Sequence, residues 1–331
     1  MEFLIAAPFT VQILSTTHPD RCQIRSLAFD RSLHVAGLSA AEFEGLFRAD
    51  RLRPDWPAIA NRGPIRIHCG EDDLSTPTRS TPLDITQESC SGGKALLSSG
   101  RAGEVRLDPD ARPDDRLLPA PLNLLLAQQW ARQGLFPLHA AALRWQGQGL
   151  LILGGQGAGK SSLVLAALDQ GADIISDDWL LLGGHNEEAR AERLREFLMF
   201  RPGPTWEAFG STLGGRLDLR QNRDGRYLHA IAKENADFPA WTRLHRCLLL
   251  QPPGSERPAL TSIASLDHST LLARLVEAAM PILMTQRFPM ERDQLFNCLR
   301  ALISSLPAIS AITGLDLVAR PGQVLDRLTE H

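Results

Sequence analysis

Over residues 1–107 apolar and polar positions alternate in short runs. Residues 3–14 are mostly apolar and broken by Pro8, 23–27 alternate, and Ile65, Arg66, Ile67, His68 and Cys69 alternate again. A period of two marks strands with one buried face, so 1–107 is expected to form a separate β-rich N-terminal domain, a candidate for recognising an acceptor. Only 40–47 has the spacing of a short helix. Residues 70–94 are rich in Ser, Thr, Pro, Asp and Gly, which predicts a long mobile loop, either a solvated surface loop or a lid over a substrate. The stretch 108–120 carries Pro109, Pro113, Asp108, Asp110, Asp114 and Asp115 and reads as a linker.

From 121 to 331 the period switches back and forth between helix and strand, the mark of an α/β domain. Residues 121–132 place Leu122, Leu125, Leu126 and Trp130 on one helical face, with Pro121 in the first turn and Gly134 beyond the end. A strand over 138–145 carries His139, and a hairpin turn at 146–149 leads into the apolar strand 150–153. A helix from Lys160 stops near Gly171, and residues 172–176 form a short strand that ends in Asp177 and Asp178. Further on, strands are expected at 196–200, 227–231 and 247–251, a short helix at 205–209, and flexible segments at 210–215 and 222–226. Helices over 266–279 and 292–305 cover the sheet, and 314–320 is expected to be a last edge strand.

Charge narrows the range of partners. Thirty-five Lys and Arg against 38 Asp and Glu leave a net charge of -3, so no global basic field points to nucleic acid or an anionic membrane. The five cysteines, Cys22, Cys69, Cys90, Cys247 and Cys298, form no C-x-x-C pair and read as buried thiols of a reducing cytoplasm. The N-terminal run lacks a basic region and contains Pro8, so a signal peptide is not expected, and no apolar stretch is long enough to span a bilayer. Lys94, Lys160 and Lys233 are the only lysines, so 32 of the 35 basic residues are Arg, in keeping with arginine-biased codon usage.

One of those lysines lies where its chemistry matters. Gly154, Gly155, Gln156, Gly157, Ala158, Gly159, Lys160, Ser161 and Ser162 follow a strand and open a helix, and the spacing G-x4-G-K-S is that of a phosphate-binding loop. Glycines let backbone N–H groups turn inward around phosphates, and the helix N-terminus adds partial positive charge. Lys160 is then expected to reach the β- and γ-phosphates of ATP, and the Ser161 hydroxyl to coordinate Mg2+. Two carboxylates at a strand end beside such a loop suit a metal ligand and a proton acceptor, though Asp177 and Asp178 also suit capping of the next segment. His139 is placed on the strand before the loop, either as a core residue or as part of the site. Arg220, Arg223, Arg226 and Lys233 are candidates to steady phosphate or acceptor, or are ordinary surface cations.

His139, the loop at 154–161, a helix closed by Gly171, and the Asp177-Asp178 pair together resemble the HPr kinase/phosphorylase family. That family is related in fold to ATP-dependent phosphoenolpyruvate carboxykinase. The resemblance covers about residues 120–182 and implies an ATP- and Mg2+-dependent kinase acting on a serine hydroxyl of a protein or peptide. It implies that Lys160 and Ser161 hold phosphates and metal, that Asp177 is the base on the acceptor, that Asp178 assists metal or acceptor, and that His139 lies beside the reacting phosphates. Family members assemble as hexamers, so a homo-oligomer is one expectation. Ser162 stands where the family has glutamate, and Ala140 where it has glycine after the strand histidine. The arginine-rich chain with its own N-terminal domain is more similar to the divergent branch, which includes kinases of lasso-peptide precursors. A nucleotide-hydrolysing switch without an acceptor, and a small-molecule kinase, are the alternatives.

Overall fold

The computed structural model describes five strands before residue 108 and the stretch 135–330, apart from 186–187, 195–196, 216, 218, 222–224, 231–238, 240 and 284–288. The chain divides into two compact units. One comprises Met1–Gln133 and Thr285–Glu291, the other Gly134–Met284 and Arg292–His331.

The described part of the first unit is a five-stranded sheet. Its strands are β1 (Val11–Ser15), β2 (Ile65–Cys69), β3 (Ile85–Cys90), β4 (Gly93–Ser98) and β5 (Glu104–Leu107), in the order β1-β2-β5-β4-β3. Strands β1, β2 and β5 run parallel, while β3, β4 and β5 are antiparallel. β3 and β4 form a tight hairpin in which Cys90 pairs with Gly93, so residues 85–90 and 93–94 are not part of a loop. The Ser-, Thr-, Pro-, Asp- and Gly-rich composition of 70–94 concealed this strand pairing. The strand at 23–27, the helices at 40–47 and 121–132, and the linker at 108–120 lie outside the described residues.

The second unit is mixed α/β. Its strands are β6 (Leu135–His139), β7 (Ala141–Trp145), β8 (Gln148–Leu153), β9 (Asp173–Ser176), β10 (Trp179–His185), β11 (Glu188–Arg193), β12 (Phe197–Phe200), β13 (Leu219–Gln221), β14 (Tyr227–Ala230), β15 (Trp241–Arg243), β16 (Arg246–Leu250), β17 (Ser262–Ser265) and β18 (Ala308–Ile312). Its helices are α1 (Lys160–Asp169), α2 (Pro204–Leu213), α3 (His268–Leu283), α4 (Pro289–Ser305), α5 (Asp316–Ala319) and α6 (Pro321–Glu330). The central sheet has the order β17-β18-β16-β8-β7-β9, with β18, β16 and β8 mutually parallel. A four-stranded antiparallel sheet, β15-β11-β10-β6, and a three-stranded one, β12-β14-β13, complete the unit.

Local chemistry explains the elements around α1. Gln146 and Gly147 have φ of 48° and 82°, the double left-handed turn that joins two strands of right-handed twist. Gly171 at φ 85° ends the helix, as its position after the last apolar residue predicts. Leu163, Val164, Leu165, Ala166, Ala167 and Leu168 are all buried, so α1 is apolar on every side and packs between the sheet and helices α2, α5 and α6. Each buried leucine there contributes about 1.5–3 kcal/mol of burial free energy.

Three expectations are corrected. The strand at 138–145 is two strands in different sheets, broken at Ala140, whose N–H donates to Leu138 O at 3.0 Å. Residues 210–213 continue α2 rather than a flexible segment. The edge strand at 314–320 is helix α5, preceded by Gly314 and Leu315, and the strand that pairs with β16 is β18. The run Leu315 to Ala319 satisfies either period, and a short apolar stretch cannot arbitrate between them.

Candidate functional site

Register brings the chemistry to one edge of the central sheet. β7 is antiparallel to β8, with Ala141 opposite Ile152, and β9 is antiparallel to β7, with Ser176 opposite Ala142. The start of β7, the end of β8 and the end of β9 therefore share an edge. His139, the loop after Leu153 and the Asp177-Asp178 pair all emerge there. β16 and β18 run parallel to β8, so the segments after Leu250 and Ile312 join the same edge from the other side.

The loop itself is built by glycine. Gly154, Gly157 and Gly159 have φ of 151°, 80° and 101°, values that other residues rarely adopt. A Cβ on Gly154 would also lie 2.8 Å from Leu250 O, so close passage over β16 requires its absence. Gly159 caps α1 and has no side chain to bond the first helical N–H groups. That arrangement presents a helix N-terminus with its partial positive charge to an anion.

Lys160 is buried, and its ammonium donates to Gly154 O at 2.6 Å and more weakly to Gly155 O at 3.5 Å. Burial lowers its pKa, and the charges of Asp178 and then Asp177 oppose that shift. The two carboxylates thus act on the loop lysine across the edge. Asp177 is only 4% exposed and accepts the Met199 N–H at 2.9 Å. Asp178 is more open, its side chain 25% exposed, and its Oδ1 lies 2.8 Å from His139 Nε2. The His139 ring stacks on Trp179 with centroids 5.4 Å apart, and Trp179 is paired with His139 in the sheet. Ser176 Oγ donates to Trp179 O at 2.6 Å, closing the turn that carries both aspartates.

The remaining candidates are spread more widely. Ser161 is exposed at the helix start, and Ser162 Oγ accepts the Thr205 hydroxyl at 3.0 Å, tying α1 to α2. Arg226 is buried with its Nη1 3.6 Å from Met199 Sδ, so Met199 neighbours both Arg226 and Asp177. Arg220 falls on β13, and Arg223 and Lys233 lie outside the described residues. Burial pushes the thiols of Cys247 and Cys298 up to about 12, which leaves neither a nucleophile at neutral pH.

Sequence reasoning did not single out Trp179, Met199 or Thr313. Trp179 had a signal in its place directly after the aspartates, but Met199 and Thr313 arrive from strands paired far along the chain. Thr313 is 1% exposed and its Oγ1 has no hydrogen-bond partner. That hydroxyl lies 3.3 Å from where a Cβ on Gly159 would stand. Among the described residues no group of three or more His, Cys, Asp and Glu gathers to hold a metal by itself. A hydroxyl and one or two carboxylates match the way Mg2+ is held together with substrate phosphates.

Fold and site together define a mixed α/β unit with a strand, a glycine loop and a helix N-terminus facing a carboxylate pair and a histidine. No helix among the described residues is long and apolar enough to cross a membrane. No family model matches the chain, and no curated protein matches it. Among solved structures it is similar to the Hpr(Ser) kinase/phosphatase from Coxiella burnetii, at 17% identity over 45% of this chain and 99% of that one, with a TM-score of 0.23. A likeness that slight carries no argument about activity, which rests on the residues themselves.

Proposed function

We propose that this protein is an ATP-dependent kinase that transfers a phosphoryl group to a serine hydroxyl of a protein or peptide. The observation that carries the reading is that Lys160, seated in a glycine loop at a helix N-terminus, and the strand end that bears Asp177 and Asp178 lie at the same sheet edge. A phosphate-binding loop needs only the former; phosphoryl transfer needs both.

In this reading the loop amides and the α1 N-terminus hold the phosphates, and Lys160 leaves the Gly154 carbonyl to meet the β- and γ-oxygens. Ser161 and Asp178 would hold Mg2+, which supplies charge neutralisation at the phosphates. Asp177, fixed by the Met199 N–H, takes the proton of the acceptor hydroxyl. The serine oxygen bonds to the γ-phosphorus as the bond to the bridging oxygen breaks, and ADP leaves with that electron pair. His139 holds Asp178 in place through its 2.8 Å contact. The rate enhancement comes from positioning and electrostatics rather than covalent catalysis.

The test is transfer from γ-labelled ATP to serine-containing peptides. Asp177→Asn is expected to lower transfer by about 10²-fold or more while nucleotide binding persists. Release of labelled phosphate with no peptide ever labelled would instead establish a nucleotide-hydrolysing switch.

A further inference from the structure

The two most exposed large apolar side chains among the described residues are Leu260, 66% exposed, and Leu315, 58% exposed. Both lie at the edge that carries the glycine loop. Leu260 stands just before β17, whose Ser262 pairs with Ile312 at the end of β18, and Leu315 follows β18 by three residues. Their two segments are locked together. Leu315 N–H donates to Pro258 O at 2.9 Å, and Asp316 N–H to Ala259 O at 3.2 Å. Asp316 Oδ1 accepts both the N–H and the hydroxyl of Thr261, and Gly314 N–H donates to Thr261 Oγ1 at 3.0 Å. Arg327 ties the far side, donating to Thr261 O at 2.7 Å.

The cross-bonded segments that carry both leucines adjoin the phosphate loop through Thr313, whose hydroxyl faces Gly159. Their place in the sheet order gives them a direction. Asp177 and Asp178 leave β9, two strands from β8 on one side, while Thr313, Gly314 and Leu315 leave β18, two strands from β8 on the other. A nucleotide held by its phosphates over β8, with its reacting end toward the carboxylates, extends its nucleoside end across β16 and β18. A base is a flat, largely apolar group, and sites for such groups combine apolar walls with few fixed polar contacts.

We propose that Leu260 and Leu315 form the wall against which the base of the bound nucleoside triphosphate packs. The proposal rests on the phosphate-loop reading and adds the direction of the nucleotide across the sheet edge. It accounts for two leucines left in solvent on a segment that is otherwise tightly cross-bonded.

The experiment compares Mg2+-dependent binding of ATP and of inorganic tripolyphosphate to the full chain, by calorimetry. Wild type is expected to bind ATP more tightly than tripolyphosphate. In Leu260→Ser/Leu315→Ser the ATP affinity is expected to fall about tenfold or more, with tripolyphosphate affinity unchanged. Both side chains are exposed, and an unchanged thermal transition verifies that the variant folds. Val318→Ser, on neighbouring α5 and also exposed, is expected to alter neither affinity. An unchanged ATP affinity in the double variant, or an equal fall for both ligands, overturns the proposal and leaves the phosphate loop standing. Failure of wild type to bind either ligand overturns the phosphate-loop reading and this proposal with it.

Discussion

Lys160 shows at the residue scale how a buried cation works against the fold. Its ammonium is buried and its pKa is lowered, chiefly by desolvation, so the folded state disfavours the charge that the unfolded chain carries freely. Between the lowered value and the ordinary lysine pKa, the unfolded chain binds the additional proton, and the stability of the free protein rises with pH through that window. Lys160→Met is therefore expected to raise the thermal stability of the free protein at neutral pH, less what is lost with the bond to Gly154 O, while weakening ATP binding. Thermal unfolding at several pH values checks this, and the gain should shrink as pH rises through the alkaline window. The identity of Lys160 was legible in the sequence, because G-x4-G-K-S is a local pattern. Its burial and its seat on the Gly154 carbonyl were not, since both depend on β16 and the Asp177-Asp178 turn. The bond of His139 to Asp178 was likewise invisible: the residues are 39 positions apart, and a strand histidine reads equally well as core.

At the scale of the element, helix starts illustrate two uses of the same four free N–H groups. α1 begins at Gly159 without a side-chain cap, which leaves its N–H groups open to the phosphates the proposed function requires, whereas α3 is capped by Asp267. Asp267 Oδ1 accepts the Thr270 N–H at 2.8 Å, its Oδ2 accepts the Thr270 hydroxyl at 2.7 Å, and the Ser269 hydroxyl also donates to it. These bonds, that of Ser269 foremost, hold its carboxyl well below the usual carboxylate range. A depressed carboxylate contributes stability that is fully present above its unfolded pKa and is lost as pH falls through the folded one. Asp267→Ala is expected to lower the melting temperature at neutral pH, with the difference from wild type vanishing in strong acid, and Asp267→Ser to recover most of the loss. Strands β10, β11, β13, β15, β17 and β18 and helix α6 drew no expectation, whereas α1, the 146–147 turn, β8, β9, β12, β14, β16, α3 and α4 were legible from period and punctuation. The break at Ala140 was not, because one continuous apolar run serves two sheets and only pairing with β10 and β8 divides it. Nor was α5, where five residues fit helix and strand alike.

The whole molecule decides what neither residue nor element does, namely which segments meet. Gly314 marks one such meeting: a Cβ there would lie 2.5 Å from Leu260 C and 2.6 Å from Thr261 N. Gly314→Ala is expected to destabilise the protein by roughly 1–3 kcal/mol, measured by denaturant titration, because backbone leaves no flexible group to yield. By itself the sequence determined the glycine-rich loop, the helix it opens at Lys160 and the strand that ends before Asp177 and Asp178, since each is encoded by neighbours in the chain. The tertiary structure alone decided that β9 ends at the edge where β8 ends, and that His139 reaches Asp178. It also decided that Leu260 and Leu315 stand on the opposite side of the loop. Strand order arises from hydrogen bonding between segments distant in sequence, and no local period records which strand will be the partner.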